Sequence, residues 1–316
     1  MNILVTSKPL EPIRKQIENF GHNVLWKVED DYTEEDVKSA DIIIGTLPLD
    51  LVKKAENLKY FHTVMAGSDN YAGIDTVRNA ILTNGTGCYS LSIAEYLITM
   101  ILYFYKKIDQ YVVNQQNHVY QDMGKIKAIE GSNVLVIGCG SIGMTFAKKI
   151  NALGAHVIGI KRTPAEKPDF LDALYQEDKI DECIKKADII AMSLPQNSQT
   201  KHLMNKERLS MIKDGALLLN VGRASAIDTD ALIEELKKNR FQCAIDVYDK
   251  EPLDPNSPLW DFKNILLLPH ITGKFNMQRT IELGCELALY NLDAFLNNKP
   301  LRNVVDFSTG YKKSNT

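Results

Sequence analysis

Short apolar, mostly β-branched runs alternate along the chain with stretches whose apolar positions recur at helical spacing. Before residue 91 the runs fall at 3–6, 24–26, 42–45, 61–65 and 80–83. Between them lie amphipathic segments such as 11–20, where Ile13, Ile17 and Phe20 share one stripe. Runs of three or four consecutive apolar residues suit strands covered on both faces, as a parallel sheet requires. A second series follows at 134–137, 157–160, 189–192, 217–219, 243–245 and 265–268, again separated by helical patterns. The pattern predicts an α/β protein of two Rossmann-like or flavodoxin-like parallel-sheet domains with a cleft between them, the first of about five strands and the second of six.

A stretch from Ser92 to about Gln116 joins the two series and reads as one long helix. Ala94, Leu97, Ile98, Ile101, Leu102 and Tyr105 make it more apolar around its circumference than a surface helix, with Tyr103, Phe104 and Tyr111 flanking the stripe. It is expected to be buried between domains or to supply a subunit interface, so a homodimer is expected. The last helical pattern, 277–298, comes after the second sheet is complete and is expected to return to the first domain. The predicted division is 1–91 plus 276–316 as a substrate-binding domain and 92–275 as a dinucleotide-binding domain.

Length and composition fit this picture. The chain has 316 residues, 45% of them hydrophobic and 24% charged, enough for two ordinary cores. A net charge of −3 and no run of Lys and Arg longer than a pair argue against a nucleic-acid partner. No apolar run approaches a membrane span, and the opening residues 1–6 read as a strand rather than a targeting signal. Five well-separated cysteines, Cys88, Cys139, Cys183, Cys243 and Cys285, lack metal-ligand spacing. They read as reduced thiols of a cytoplasmic protein with no metal site.

The chemistry begins at Gly138-Cys139-Gly140-Ser141-Ile142-Gly143, directly after the run 133–137 and opening the next helix. In a strand–turn–helix setting Gly138 permits the tight turn, Gly140 lets a pyrophosphate approach the backbone, and Gly143 lets the helix lie close on the strand. The helix N-terminus then faces the phosphates. About 20 residues further on, where an NAD site carries an acidic residue for the ribose 2′-OH, the chain reads Ile160-Lys161-Arg162-Thr163. Two cations and a hydroxyl there would hold a 2′-phosphate, so NADP(H) is favoured over NAD(H).

Three further stretches fall at carboxyl ends of predicted strands: Asn220-Val221-Gly222-Arg223, Asp246 to Leu253, and Pro269-His270-Ile271-Thr272-Gly273. Together with Ala66-Gly67-Ser68-Asp69-Asn70, residues 84–95 and Ser193-Leu194-Pro195 through Thr200, their order resembles the D-isomer-specific 2-hydroxyacid dehydrogenase family over nearly the whole chain. That family includes phosphoglycerate and D-lactate dehydrogenases and glyoxylate/hydroxypyruvate reductases. The resemblance implies Arg223, Glu251 and His270 as catalytic residues. It implies Leu194, Pro195, Thr200, Val221, Asp246 and Gly273 as cofactor contacts, Asp246 facing the nicotinamide carboxamide. Ala66, Gly67 and Ser68 would cradle the substrate carboxylate, with Arg223, once the first domain closes on the second. Ala224 departs from the family's usual glycine and is expected to tighten the turn at Arg223.

Chemistry points the same way for the three catalytic candidates. Reduction of a 2-keto acid needs a proton donor for the developing alkoxide, which a histidine supplies near neutral pH. A carboxylate such as Glu251 beside the imidazole favours its charged form and orients it. Arg223 can hold the substrate carboxylate and polarise its carbonyl. The expected partner is a small 2-keto or 2-hydroxy acid. A non-catalytic, dinucleotide-sensing regulatory protein on the same fold is the alternative from another class, and oxidation of an inorganic anion such as phosphite is the alternative chemistry.

Overall fold

A computed structural model describes residues 1–28, 31–307 and 311–313, with backbone alone at 69, 72, 311 and 312. The chain divides into two compact units, Met1–Tyr89 with Lys274–Thr316, and Ser90–Gly273.

The first unit carries five parallel strands, β1 (Asn2–Val5), β2 (Asn23–Trp26), β3 (Ile42–Gly45), β4 (Tyr60–Thr63) and β5 (Ile81–Asn84), in the order β2-β1-β3-β4-β5. All four residues of β3 and of β4 are buried, as expected of central strands covered on both faces. The helix Gln278–Leu296 belongs to this unit. Its Cys285, Ala288 and Leu292 pack with Ile3, Val5, Ile42, Ile44 and Tyr60, and Phe295 stacks on the Tyr60 ring at 4.7 Å. Fully burying a side chain such as Leu292 contributes about 1.5–3 kcal/mol, so a distant segment of chain completes the first core.

The second unit carries seven parallel strands, not six: β6 (Asn133–Ile137), β7 (His156–Ile160), β8 (Ala173–Tyr175), β9 (Ile189–Met192), β10 (Leu217–Asn220), β11 (Gln242–Ile245) and β12 (Ile265–Leu267). Their order is β12-β11-β10-β9-β6-β7-β8. The chain starts in the middle at β6, runs outward through β7 and β8, then crosses back to β9 on the other side of β6. The carboxyl ends of β6 and β9 therefore flank the switch point, where doubly wound sheets bind ligands. The seventh strand, β8, is the three-residue run Ala173-Leu174-Tyr175, partly exposed at the sheet edge and without a β-branched residue, so it does not stand out as a buried strand.

The stretch 92–116 is two helices rather than one. Ser90–Tyr105 buries Ile93, Ala94, Leu97, Met100, Ile101, Phe104 and Tyr105, while Ile108–Gln116 buries nothing. Lys107 between them has left-handed backbone (φ 56°), which breaks the helix where the apolar stripe ends. No helix among the described residues is long and apolar enough to cross a membrane.

Candidate active site

Two features of the second unit carry chemistry. The first is a groove of about 210 Å³ at the switch point, lined by Gly138, Cys139, Gly140, Lys161, Arg162, Thr163, Leu194, Pro195 and Thr200, and also by Glu177, Asn197 and Gln199. Gly138 has φ +98° and turns so closely past β9 that a Cβ would stand 2.9 Å from the Ser193 carbonyl oxygen. A Cβ on Gly143 would stand 2.2 Å from the Gly138 oxygen, so the helix Ser141–Asn151 can seat on the loop only with glycine there. A Cβ on Gly140 would meet nothing within 4 Å; the backbone faces open space. Gly140 is the helix N-cap and no side chain caps that end, which leaves amide donors and the positive end of the helix dipole facing the groove. These features fit a dinucleotide pyrophosphate.

Ser141, Ile142 and Gly143 do not line the groove. Ser141 Oγ instead lies 2.8 Å from Ser90 Oγ. Thr200 lines it, but its hydroxyl is committed within its own loop, donating to the Pro195 carbonyl at 2.6 Å and accepting from the Asn197 amide at 3.0 Å. Thr200 therefore shapes the loop that presents Leu194 and Pro195. Val221, Asp246 and Gly273 stand outside the groove; Val221 is buried after β10, and Gly273 packs on Ile93.

The second feature is the cluster of loops after β10, β11 and β12. His270 Nδ1 lies 2.7 Å from Glu251 Oε2. The other carboxylate oxygen of Glu251 accepts the Tyr248 amide at 3.0 Å, so both oxygens are engaged and the carboxylate is fixed. The Tyr248 hydroxyl in turn donates to the Leu268 carbonyl at 2.8 Å, tying the loop of Glu251 to the strand end that precedes His270. His270 is about half exposed and has left-handed backbone (φ 48°), a conformation uncommon for residues other than glycine.

Asp246 holds that backbone in place. It is buried, and its carboxylate accepts the Ile271 amide at 2.7 Å, the Thr272 amide at 3.1 Å and the Thr272 hydroxyl at 2.5 Å. Such charge-assisted bonds are about twice as strong as neutral ones. Asn220, also buried, does the corresponding work for Arg223: its side chain donates to the Arg223 carbonyl at 3.0 Å and accepts the Gly222 amide at 3.1 Å. Ala224 opens a 3-10 turn, Ala224–Ala226, with ordinary right-handed backbone, so alanine in place of glycine needs no strained φ. A second cavity of about 320 Å³ lies behind these loops, lined by Ile227, Leu232, Val247 and Leu253 among others; none of Arg223, Glu251 and His270 lines it.

In the first unit the loop after β4 is organised by Asn84, whose amide donates to the Ala66 carbonyl at 3.0 Å and to Ser68 Oγ at 3.1 Å. Ser68 is buried. The amides of Ala66 and Gly67 make no hydrogen bond among the described residues. No group of three or more His, Cys, Asp or Glu that could hold a metal occurs among them either.

A doubly wound sheet with a glycine cradle at its switch point, and a histidine–carboxylate pair at neighbouring strand ends, defines a dinucleotide-dependent enzyme scaffold. The family model described as "D-isomer specific 2-hydroxyacid dehydrogenase, NAD binding domain" matches residues 98–272. The chain belongs to that family and is an NAD(P)-dependent oxidoreductase. Among its relatives, the D-3-phosphoglycerate dehydrogenase of Methanocaldococcus jannaschii is 30% identical over 280 residues, covering 85% of this chain; this chain spans about half (53%) of that protein. The glyoxylate reductase of Thermofilum pendens is 30% identical over 281 residues, 82% of this chain and 78% of that one. A D-isomer specific 2-hydroxyacid dehydrogenase family protein from Aeromonas salmonicida superposes with a TM-score of 0.87 at 26% identity, covering 97% and 99% of the two chains.

Proposed function

We propose that the protein interconverts a 2-keto acid and its 2-hydroxy acid, with His270 as the proton carrier and NADP(H) preferred over NAD(H). The observation that carries this is the 2.7 Å contact between His270 Nδ1 and Glu251 Oε2. A carboxylate at Nδ1 takes the proton on that nitrogen as its hydrogen bond and leaves Nε2 as the nitrogen that exchanges a proton with substrate. When bound, the nicotinamide supplies the hydride to the carbonyl carbon or takes it back. In reduction, the His270 imidazolium gives its Nε2 proton to the oxygen that becomes the hydroxyl. In oxidation, neutral His270 takes that proton. Glu251 accepts the Nδ1 hydrogen bond and so fixes the ring plane. Arg223 holds the substrate carboxylate and polarises the carbonyl with its planar fork. Asp246 and Asn220 are positioning residues, setting the loops of His270 and Arg223.

Lys161, Arg162 and Thr163 lining the groove support the NADP(H) preference. Unclosed amides at Ala66 and Gly67 support a carboxylate-binding role for that loop. Exposed apolar side chains at Ile108, Val112, Val113, Val119 and Ile126 support a homodimer built on this segment, and five free, buried thiols support a cytoplasmic location. The function is tested by following NADPH and NADH oxidation with glyoxylate, hydroxypyruvate, pyruvate and bulkier 2-keto acids. Turnover with at least one is expected; nucleotide binding without turnover on any would contradict it.

A further inference from the structure

The cofactor groove is lined by three charged residues, Lys161, Arg162 and Glu177. Arg162 is already engaged, donating to Gln199 Oε1 at 3.4 Å, while its carbonyl accepts from the Gln176 side chain at 3.1 Å. The side chains of Lys161 and Glu177 have no hydrogen-bond or ion-pair partner among the described residues. Glu177 is exposed and stands two residues beyond the end of β8, where the Lys161 amide donates to the Tyr175 carbonyl at 2.9 Å. Strand pairing thus brings an unpaired carboxylate to the groove that the cations were expected to hold alone.

We propose that Glu177 is a second specificity-determining residue of this groove, opposing the 2′-phosphate that Lys161 and Arg162 attract and so keeping NAD(H) competitive with NADP(H). The inference rests on the reading of the groove as the dinucleotide site. An NADP 2′-phosphate brings about two negative charges that NAD lacks, and a carboxylate at the same groove repels them. The unphosphorylated ribose escapes this repulsion. Lys161 and Glu177 act with opposite sign on the same discrimination, and neither side chain is held by a hydrogen bond or ion pair among the described residues.

The experiment is calorimetric titration of the protein with 2′,5′-ADP and with 5′-ADP, at low and at high salt, for the wild type, Glu177→Gln and Glu177→Lys. Exposed charges interact weakly, so Glu177→Gln is expected to tighten 2′,5′-ADP by about threefold with 5′-ADP unchanged. Glu177→Lys is expected to tighten it further, and both gains to shrink as salt screens them. A ratio of the two affinities that stays at the wild-type value in both variants, or moves toward 5′-ADP, overturns the role of Glu177. A wild-type protein that binds neither nucleotide overturns the dinucleotide reading itself, and the inference with it.

Discussion

Nδ1 of His270 lies 2.7 Å from Oε2 of Glu251, and Oε1 of the same carboxylate accepts the Tyr248 amide at 3.0 Å. The two bonds leave Glu251 no freedom to turn. A glutamine offers one oxygen and no charge, so whichever donor it satisfies, its NH2 faces the other. Glu251→Gln is therefore expected to lower kcat for 2-keto acid reduction by about tenfold or more, with nucleotide affinity unchanged. Steady-state kinetics beside a nucleotide titration checks this; kcat within about twofold of wild type would exclude the role given to Glu251.

Asp246 satisfies three donors of the His270 loop from a buried position. Asparagine there would leave at least one donor unmatched, at a cost of about 1–3 kcal/mol. Asp246→Asn is expected to melt several degrees below wild type and to lose turnover because His270 is no longer held. Thermal melting and kcat together test it. An Asp246→Asn protein that matches wild type in both would show that the loop holds its own shape.

The Lys161–Thr163 side of the groove predicts a change of cofactor choice. Lys161→Asp combined with Arg162→Ala is expected to weaken NADPH and help NADH, moving the ratio of their kcat/KM values by about tenfold or more. Initial rates with both cofactors decide the matter, and an unchanged ratio would refute the 2′-phosphate argument.

Stability at mildly acid pH is set in part by His62, which is buried beside β5 with Nδ1 2.8 Å from the Thr83 hydroxyl. Burial lowers its pKa from 6.5 to about 4. The unfolded chain protonates this histidine first as pH falls, so stability is whole above pH 6.5 and is lost between 6.5 and about 4. The loss reaches roughly 3 kcal/mol, because each tenfold weakening of proton binding corresponds to about 1.4 kcal/mol. Melting temperature measured from pH 7.5 to 4.5 in wild type and His62→Gln should show a steeper fall in wild type; parallel curves would contradict the assignment.

Much of this was legible in the sequence because the chemistry is carried by strand ends. Unbroken apolar runs such as 42–45 and 189–192 mark buried parallel strands, and the residues just beyond them reach the carboxyl edge of the sheet whatever the loops do. Position alone marked three stretches; it was the resemblance of their motifs to the family that singled out Arg223, Glu251 and His270 within them. What the sequence hid depends on pairing rather than on pattern. Edge strand β8, Ala173-Leu174-Tyr175 with no β-branched residue, does not announce itself, and without it Glu177 has no reason to be placed in the cofactor groove. The break at Lys107 comes from one backbone angle that lysine rarely adopts. The bonds from Asp246 to the amides of Ile271 and Thr272 join two loops 25 residues apart, and only the folded sheet brings them together.

The central claim, that His270 carries the proton, is tested most directly by His270→Gln. Its kcat for NADPH- or NADH-dependent reduction of the best 2-keto acid is compared with wild type, while nucleotide affinity is followed by fluorescence. Loss of the proton carrier is expected to cost about 10²- to 10⁴-fold in kcat and to leave nucleotide affinity intact. A His270→Gln enzyme that keeps wild-type kcat would contradict it.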